Sequence, residues 1–337
     1  MTNLTRMSRR GVLAIGSGAL AAAFIGKGAQ AATTLRYGHM HTPSSIAGAQ
    51  AQWFADAVAE KTGGEINIQI FPNSQLGRLQ ELAESVSTGS IAFSHNTAGA
   101  IGSLYTPFAA FDTPYLYRDV DHLMKVVAAD SPVMQELNDG LIAASGTRAL
   151  YAFYFGTRQL TVNQTALTPA DLAGVKIRSI PFPIYMATVE GLGGVPVPVD
   201  WAEVPTALAT GVVSGQENPL NVLVTANLSD VQSHLILTGH TAAAQVVMMN
   251  DDVWNGLSDA HKEVVATAAE ETRERATQEM LASEDDDLET LRSRGMTIIG
   301  EADGLDLDAF RESVRARISS EFDSQFGDLY TQIDAIS

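Results

Sequence analysis

The chain has 337 residues, 39 Asp and Glu against 21 Lys and Arg, a formal net charge of −18, and no cysteine. Hydrophobic residues make up 45% and charged residues 18%, enough apolar material for the cores of two domains of ordinary size. The missing cysteine excludes a disulfide framework, a thiol nucleophile and a thiolate metal site. The acidity argues against nucleic acid and anionic membrane as partners.

Residues 1–31 begin with Arg6, Arg9 and Arg10, continue through an apolar middle, and end in Ala29-Gln30-Ala31. This pattern predicts a signal peptide, removed near Ala31, and export to the periplasm. The apolar run is short and interrupted by glycine, which speaks against a permanent membrane span. Ser8, Arg9, Arg10 and Leu13 resemble the twin-arginine export signal, with an ordinary Sec signal as the alternative. The segment carries four cations and no acid, so the mature chain keeps 17 Lys and Arg against 39 acids, a charge of −22.

In the mature chain, "TTLRYGHMH" (33–41) reads as a strand that ends in a polar loop. A helix follows, with Ile46, Ala49, Trp53, Ala57 and Val58 at helical spacing and Gly63–Gly64 as its stop. "EINIQIFP" alternates Ile66, Ile68 and Ile70 with polar residues, as a strand does, and Pro72 ends it. "LGRLQELAESVSTGS" is a helix closed by Gly89, and "IAFSHN" a third strand. The β-α-β-α-β order implies a mostly parallel sheet with helices on its faces.

The same kind of unit returns after residue 145. "TRALYAFYF" reads as a strand ending before Gly156, "VKIRSI" as a second and "VPVPVD" as a third, with helices over "FPIYMATVEGLG" and "AEVPTALATG". "VVSGQEN" is a strand or turn. From Ser258 a long helical pattern begins, in which the acidic run Glu284–Asp287 is either a solvated face or a break. "MTIIG" is a strand and "DLDAFRESVRARISSEF" a last helix.

In an open α/β sheet, ligands sit beyond the carboxyl ends of the strands. Arg178 lies at that end of its strand, and Arg158 just past the end of another. Arginine offers a planar fork to a carboxylate, so two of them at one crevice point to an organic acid. A structural ion pair with one of the 39 acids is the alternative for each. Asn218, in "GVVSGQENPL", adds a donor at a third strand end, and Trp201 is either core or a ring over a ligand. His95, Asn96 and Thr97 end the third strand, His39 ends the first, and Gln80 and Glu81 start a helix near the expected cleft. His39-x-His41 would share one face of a strand and could hold a metal, although such a pair more often sits in a polar loop. No G-x-S-x-G, P-loop or H-E-x-x-H motif is present, so neither catalysis nor a cofactor is expected.

"GTRQLTVN", "LAGVKIR", "PVPVDWAEVPTALATGVVSGQENPL" and "DVQSHLILTGH" resemble signature stretches of the TRAP transporter solute-binding proteins, the DctP-like family, as do "EKTGGEINIQIFPNSQLG" and "DTPYLYRD". The resemblance spans nearly the whole mature chain in order and spacing. It implies a periplasmic binding protein of two α/β lobes, with mixed, mostly parallel sheets, a cleft between the lobes and a long helix spanning both. The expected lobes are 32–155 with 244–283, and 156–243 with 284–337. By resemblance Arg178 holds the substrate carboxylate, Arg158 is its companion, Asn218 contacts the same group, and Trp201 lies against the ligand. The partners implied are a small and a large membrane permease subunit driven by an ion gradient. A sensory binding protein that reports to a receptor is the other possibility.

Sialate binders of this family carry Asn, Asp and Glu where this chain has Met40, Leu79 and Thr97, which argues against sialate. The polar strand end at 95–97 suits a sugar acid such as a hexuronate. A C4-dicarboxylate, a 2-oxo acid or a small sulfonate are the alternatives.

Overall fold

The computed structural model describes residues 32–337. The expected signal peptide and twin-arginine signal lie outside the described residues. Among those residues, no helix is long and apolar enough to cross a membrane.

One mixed sheet of nine strands organises the molecule. The strands are β1 (Thr33–Gly38), β2 (Ile66–Phe71), β3 (Phe93–Thr97), β4 (Thr147–Val162), β5 (Lys176–Ser179), β6 (Val195–Pro198), β7 (Gly215–Pro219), β8 (His234–Asn250) and β9 (Thr297–Ile299). Their order is β2-β1-β3-β8-β4-β7-β5-β6, with β9 on β8. The β2-β1-β3 and β7-β5-β6 groups are each parallel. β4 and β8, antiparallel to one another, run through the middle. β3 pairs with Val246–Met249 and Gln245 of β8, and β7 pairs with Arg158–Val162 of β4. The carboxyl ends of β3 and β7 therefore both arrive at the midpoint of the two long strands.

Two sequence expectations are corrected here. Arg158 is not beyond the end of its strand. β4 continues through it to Val162, and Gly156 is a bulge instead of a stop. The 17-residue β8 had no counterpart in the reading by periodicity. It is buried on both faces along most of its length, so it shows little of the apolar–polar alternation that marks a half-exposed strand.

The helix Ile46–Lys61 forms as expected, with the Ser45 hydroxyl accepting from the Gly48 amide, 3.1 Å, at its N-cap. Its buried face is rotated from the expected one, to Ala47, Ala51, Phe54, Ala55 and Val58. Trp53 is half-buried beneath the Arg275 guanidinium, 3.7 Å from its ring centroid. That arginine belongs to the 35-residue helix Asp259–Ser293, about 52 Å long at 1.5 Å per residue. Its buried stripe of Val265, Ala268, Ala269, Thr272, Ala276 and Met280 recurs every three or four residues, the spacing of one helix face.

This helix touches both halves of the sheet's surroundings. Lys61 pairs with Glu271 at 2.9 Å, Asn221 donates to Met280 Sδ, and Arg294 donates to the Val224 carbonyl. The run Glu284–Asp287 is unbroken helix, with Glu284 accepting from the Tyr154 hydroxyl at 2.6 Å. The C-terminal helix Leu307–Asp334 also reaches across. Arg317 pairs with Glu190, while Tyr330 meets the Thr113 hydroxyl and the Ile333 carbonyl meets His122.

Candidate functional site

A cavity of about 350 Å³, including its mouth, lies where the carboxyl ends meet. One wall is Met40 and His41 after β1, Leu79, and Thr97 at the end of β3. The floor is Phe155 and Arg158 of β4 and Gln245 of β8. The other wall is Arg178 and Ile180, Trp201, Asn218 and Val222.

Arg158 reaches this floor through the bulge before it. Gly156 has φ 111°, and a Cβ there would stand 2.7 Å from the Pro219 Cβ. Glycine alone combines that backbone with so close an approach. The register of β4 on β8 slips between Tyr154 and Gly156 and again between Arg158 and Leu160, which re-aims the side chains between. The end of β7 thus lies against Arg158.

The Arg158 side chain is 1% exposed and fully engaged on one edge. Nε and Nη2 donate to the Glu217 carboxylate, and Nη2 also donates to the Glu217 carbonyl, 2.7 Å, and to Asn218 Oδ1, 3.2 Å. Burial alone would push the Glu217 carboxyl up, but the Arg158 charge overrides it and holds the group at about 2. His240 Nε2 lies 3.1 Å from the same carboxylate, and its Nδ1 2.8 Å from the Thr238 hydroxyl. Burial pushes His240 down, with Glu217 offsetting part of the shift. An ionised carboxylate only accepts, so Nε2 carries the imidazole proton and Nδ1 accepts from Thr238.

Arg178 differs. It is also 1% exposed, yet its one hydrogen bond among the described residues runs from Nε to the Val199 carbonyl, 2.9 Å. No carboxylate there forms an ion pair with it, and both Nη groups are unengaged. Its guanidinium carbon stands 5.9 Å from the Trp201 ring centroid. Burial pulls its pKa down to about 10, with Glu217 opposing and Arg158 adding to the shift, so it remains a cation at neutral pH. A desolvated charge without a counter-ion costs several kcal/mol. A planar anion with two acceptor oxygens relieves that cost best.

Behind Arg158, the Tyr185 ring lies 5.5 Å from its guanidinium, and Tyr185 donates to Asp112 at 2.6 Å. The Gly99 amide donates to the same oxygen, 2.6 Å. Burial raises the Asp112 carboxyl to about 6, against the Tyr185 and Gly99 hydrogen bonds and the nearby Arg158 charge. At the mouth, Arg78 caps the helix Leu79–Ser87 and pairs with Asp200 and with Glu203, 3.1 Å. These acids flank Trp201, so the pairs tie its turn to the opposite wall.

Of the residues expected from sequence, Arg178, Arg158, Asn218, Trp201 and Thr97 share this cavity. Five do not line it. Gln80 is exposed and donates to Glu84 at 2.9 Å. Glu81 is exposed, and its carboxylate accepts from the Arg78 amide at 2.9 Å as a helix cap. His95 is buried between His39 and His41, with ring centroids 4.8 and 5.0 Å away, and its Nδ1 meets Tyr37 Oη and Gln50 Nε2. His39 faces another surface depression, beside Pro43 and Trp53. Asn96 lies between His95 and Thr97 on a strand and so points to the opposite face. Among the described residues no three His, Cys, Asp or Glu side chains are placed to hold a metal ion.

The sequence reading did not single out Glu217, His240, Gln245, Phe155 or His41 for the ligand site. Glu217 had a signal: a charged residue inside a strand buried along its whole length needs a counter-charge nearby.

A slot between strand carboxyl ends, with a desolvated cation at its wall, defines a solute-binding protein. The chain belongs to the DctP family, bacterial extracellular solute-binding protein, family 7, which it matches over residues 37–325. It is 34% identical to a solute-binding protein of Verminephrobacter eiseniae, over 89% of this chain and 88% of that one. A TRAP periplasmic solute-binding protein of Bordetella bronchispeptica, with density interpreted as pantoate, has a TM-score of 0.83 at 33% identity and covers 90% of this chain and 99% of its own. One from Sulfurospirillum deleyianum, with bound succinate, has a TM-score of 0.80 at 29% identity, with the same coverage. The two-lobed fold inferred from the motifs is the fold of these structures, here with both lobes sharing one sheet.

Proposed function

We propose that this chain captures an organic acid by its carboxylate in the slot and hands it to the small and large membrane subunits of an ion-driven permease. The observation that carries the reading is the Arg178 guanidinium, buried with both Nη groups unengaged among the described residues. Arg158 adds charge and, through Asn218, a directional contact. Trp201 covers the ligand and excludes water. Transport, and not catalysis, is the activity proposed, in the periplasm after removal of residues 1–31.

Ligand biases a hinge between open and closed forms. The moving bodies are residues 32–155 with 244–283, and 156–243 with 284–337, the latter including a C-terminal helix whose last turns rest on the first body. The β4 bulge at Gly156 and its partner Ala243 form the crossing point. The relatives' ligands bracket the class, from the hydroxylated monoanion pantoate to the dianion succinate. A sugar acid such as a hexuronate is the sequence-based candidate, although of its three supporting residues only Thr97 lines the cavity.

A thermal-shift screen of residues 32–337 against sugar acids, dicarboxylates, oxo acids and sulfonates, repeated with Arg178→Ala, tests this. Ligand at a hundred times its dissociation constant stabilises by about 2.7 kcal/mol, a shift of several degrees for a chain of this size. A shift abolished in the variant supports the reading. A ligand that stabilises both proteins equally refutes it.

A further inference from the structure

The charge around the slot is small. Arg158 and Arg178 contribute two positive charges, and Glu217, bonded to Arg158, removes one. His240, which also faces Glu217, is neutral. Asp112, behind Tyr185, adds negative charge or none. Asp200 at the mouth is engaged by Arg78. The net is one positive charge at most. One carboxylate cancels it, and a second would be buried without a counter-ion.

The wall facing Arg178 has no cation to receive a second carboxylate. It holds Met40, His41, Leu79 and Thr97, with Gln245 on the floor beside it. His41 is held by stacking on the His95 ring, centroids 5.0 Å apart, and by the tilted Phe155 ring, 5.2 Å away. Gln245 is fixed by its place in β8, paired with Thr97 and Phe153. Each presents a buried polar atom with no partner among the described residues, His41 Nε2 and Gln245 Oε1.

Buried polar atoms are nearly always paired, so unpaired ones on a cavity wall indicate what the cavity takes. The Gln245 carbonyl oxygen needs a hydrogen. A carboxylate cannot supply one, and a hydroxyl can. A hydroxyl also suits His41 Nε2 in either tautomer, since it both donates and accepts.

We infer that the slot selects a singly charged, hydroxylated carboxylic acid, with His41 and Gln245 reading hydroxyls on its carbon chain while Arg178 holds the carboxylate. This rests on the carboxylate reading above and narrows it: a dicarboxylate is rejected for lack of a second cation, and a bare fatty acid for leaving both His41 and Gln245 unpaired.

The test is calorimetric titration of residues 32–337 with L-galactonate, D-erythronate and D-glucuronate, against succinate and hexanoate. At least one hydroxylated acid should bind at least tenfold more tightly than either comparison acid. Gln245→Leu and His41→Phe should each cut its advantage over hexanoate about tenfold, the effect of one lost buried hydrogen bond. Should one variant fail to fold, the other carries the same reading. Succinate or hexanoate as the tightest ligand, no preference for any hydroxylated acid, or an advantage unchanged by both substitutions would overturn the inference. An Arg178→Ala arm separates the two levels. If succinate wins and Arg178→Ala abolishes its binding, the carboxylate site stands and only the selectivity falls. If Arg178→Ala leaves every affinity intact, both fall.

Discussion

Glu217→Gln isolates the electrostatics of the floor. The substitution keeps shape but removes the charge that compensates Arg158. The native carboxyl is held at about 2 against an ordinary value of 4.5. At 1.36 kcal/mol per unit that depression amounts to about 3 kcal/mol of folding stability. Breaking a buried ion pair from one side costs about 3–5 kcal/mol, so two independent routes agree. At neutral pH the variant should be about 3 kcal/mol less stable by urea unfolding, and melt about 5 °C lower. The pH dependence carries the sign. A depressed native pKa contributes stability that is present above 4.5 and lost as pH falls toward 2. The wild-type advantage over Glu217→Gln should therefore be constant near neutrality and shrink from pH 4.5 downward, while other carboxylates cancel in the difference. Parallel stability curves for the two proteins from pH 7 to 2.5 would refute the reasoning.

Other consequences follow from the same geometry. Arg78→Ala removes two exposed pairs and should change stability by less than about 1 kcal/mol, yet raise the ligand off-rate in stopped flow by releasing the Trp201 turn. Trp201→Ala should weaken binding about 3- to 30-fold by calorimetry, the range of a cation–π contact together with lost cover. Gly156→Ala forces φ 111° on a residue with a Cβ and a 2.7 Å contact. It should cost about 1–3 kcal/mol in denaturant and weaken binding as well, since the end of β7 must move away from Arg158.

Much of the fold was legible because its parallel halves alternate strand and helix, and proline or glycine marks their ends. What was not legible lies in the middle. β4 was cut at Gly156 because a glycine after an aromatic run usually ends a strand, whereas here it makes a bulge. β8 is covered on both faces and shows no clear period. The face of the first helix was misjudged because its alanines fit several phases, and Trp53 turned out to pack on Arg275.

At the site, strand ends and scarce cations pointed to Arg178, Arg158 and Asn218. Of the polar cluster at 95–97 only Thr97 lines the cavity. A strand alternates sides, and His95 also belongs to a buried histidine stack that only the tertiary fold assembles. The two arginines also proved unequal. Arg158 is largely an ion pair with Glu217, and Arg178 carries the uncompensated charge. Nothing in their sequence neighbourhoods distinguishes these roles.

That inequality gives the most direct test of the account. Arg178→Met replaces the guanidinium with an apolar side chain, and two quantities are read on one protein: its affinity for the acid that stabilises the wild type, and its unfolding free energy without ligand. A buried charge kept for a ligand is a burden to the empty protein. Affinity should fall by about 2–5 kcal/mol, roughly 30- to several-thousand-fold, while the unliganded stability stays level or rises. Unchanged affinity, or a stability loss of the 3–5 kcal/mol expected for a paired structural arginine, would contradict the claim that Arg178 is there for the ligand.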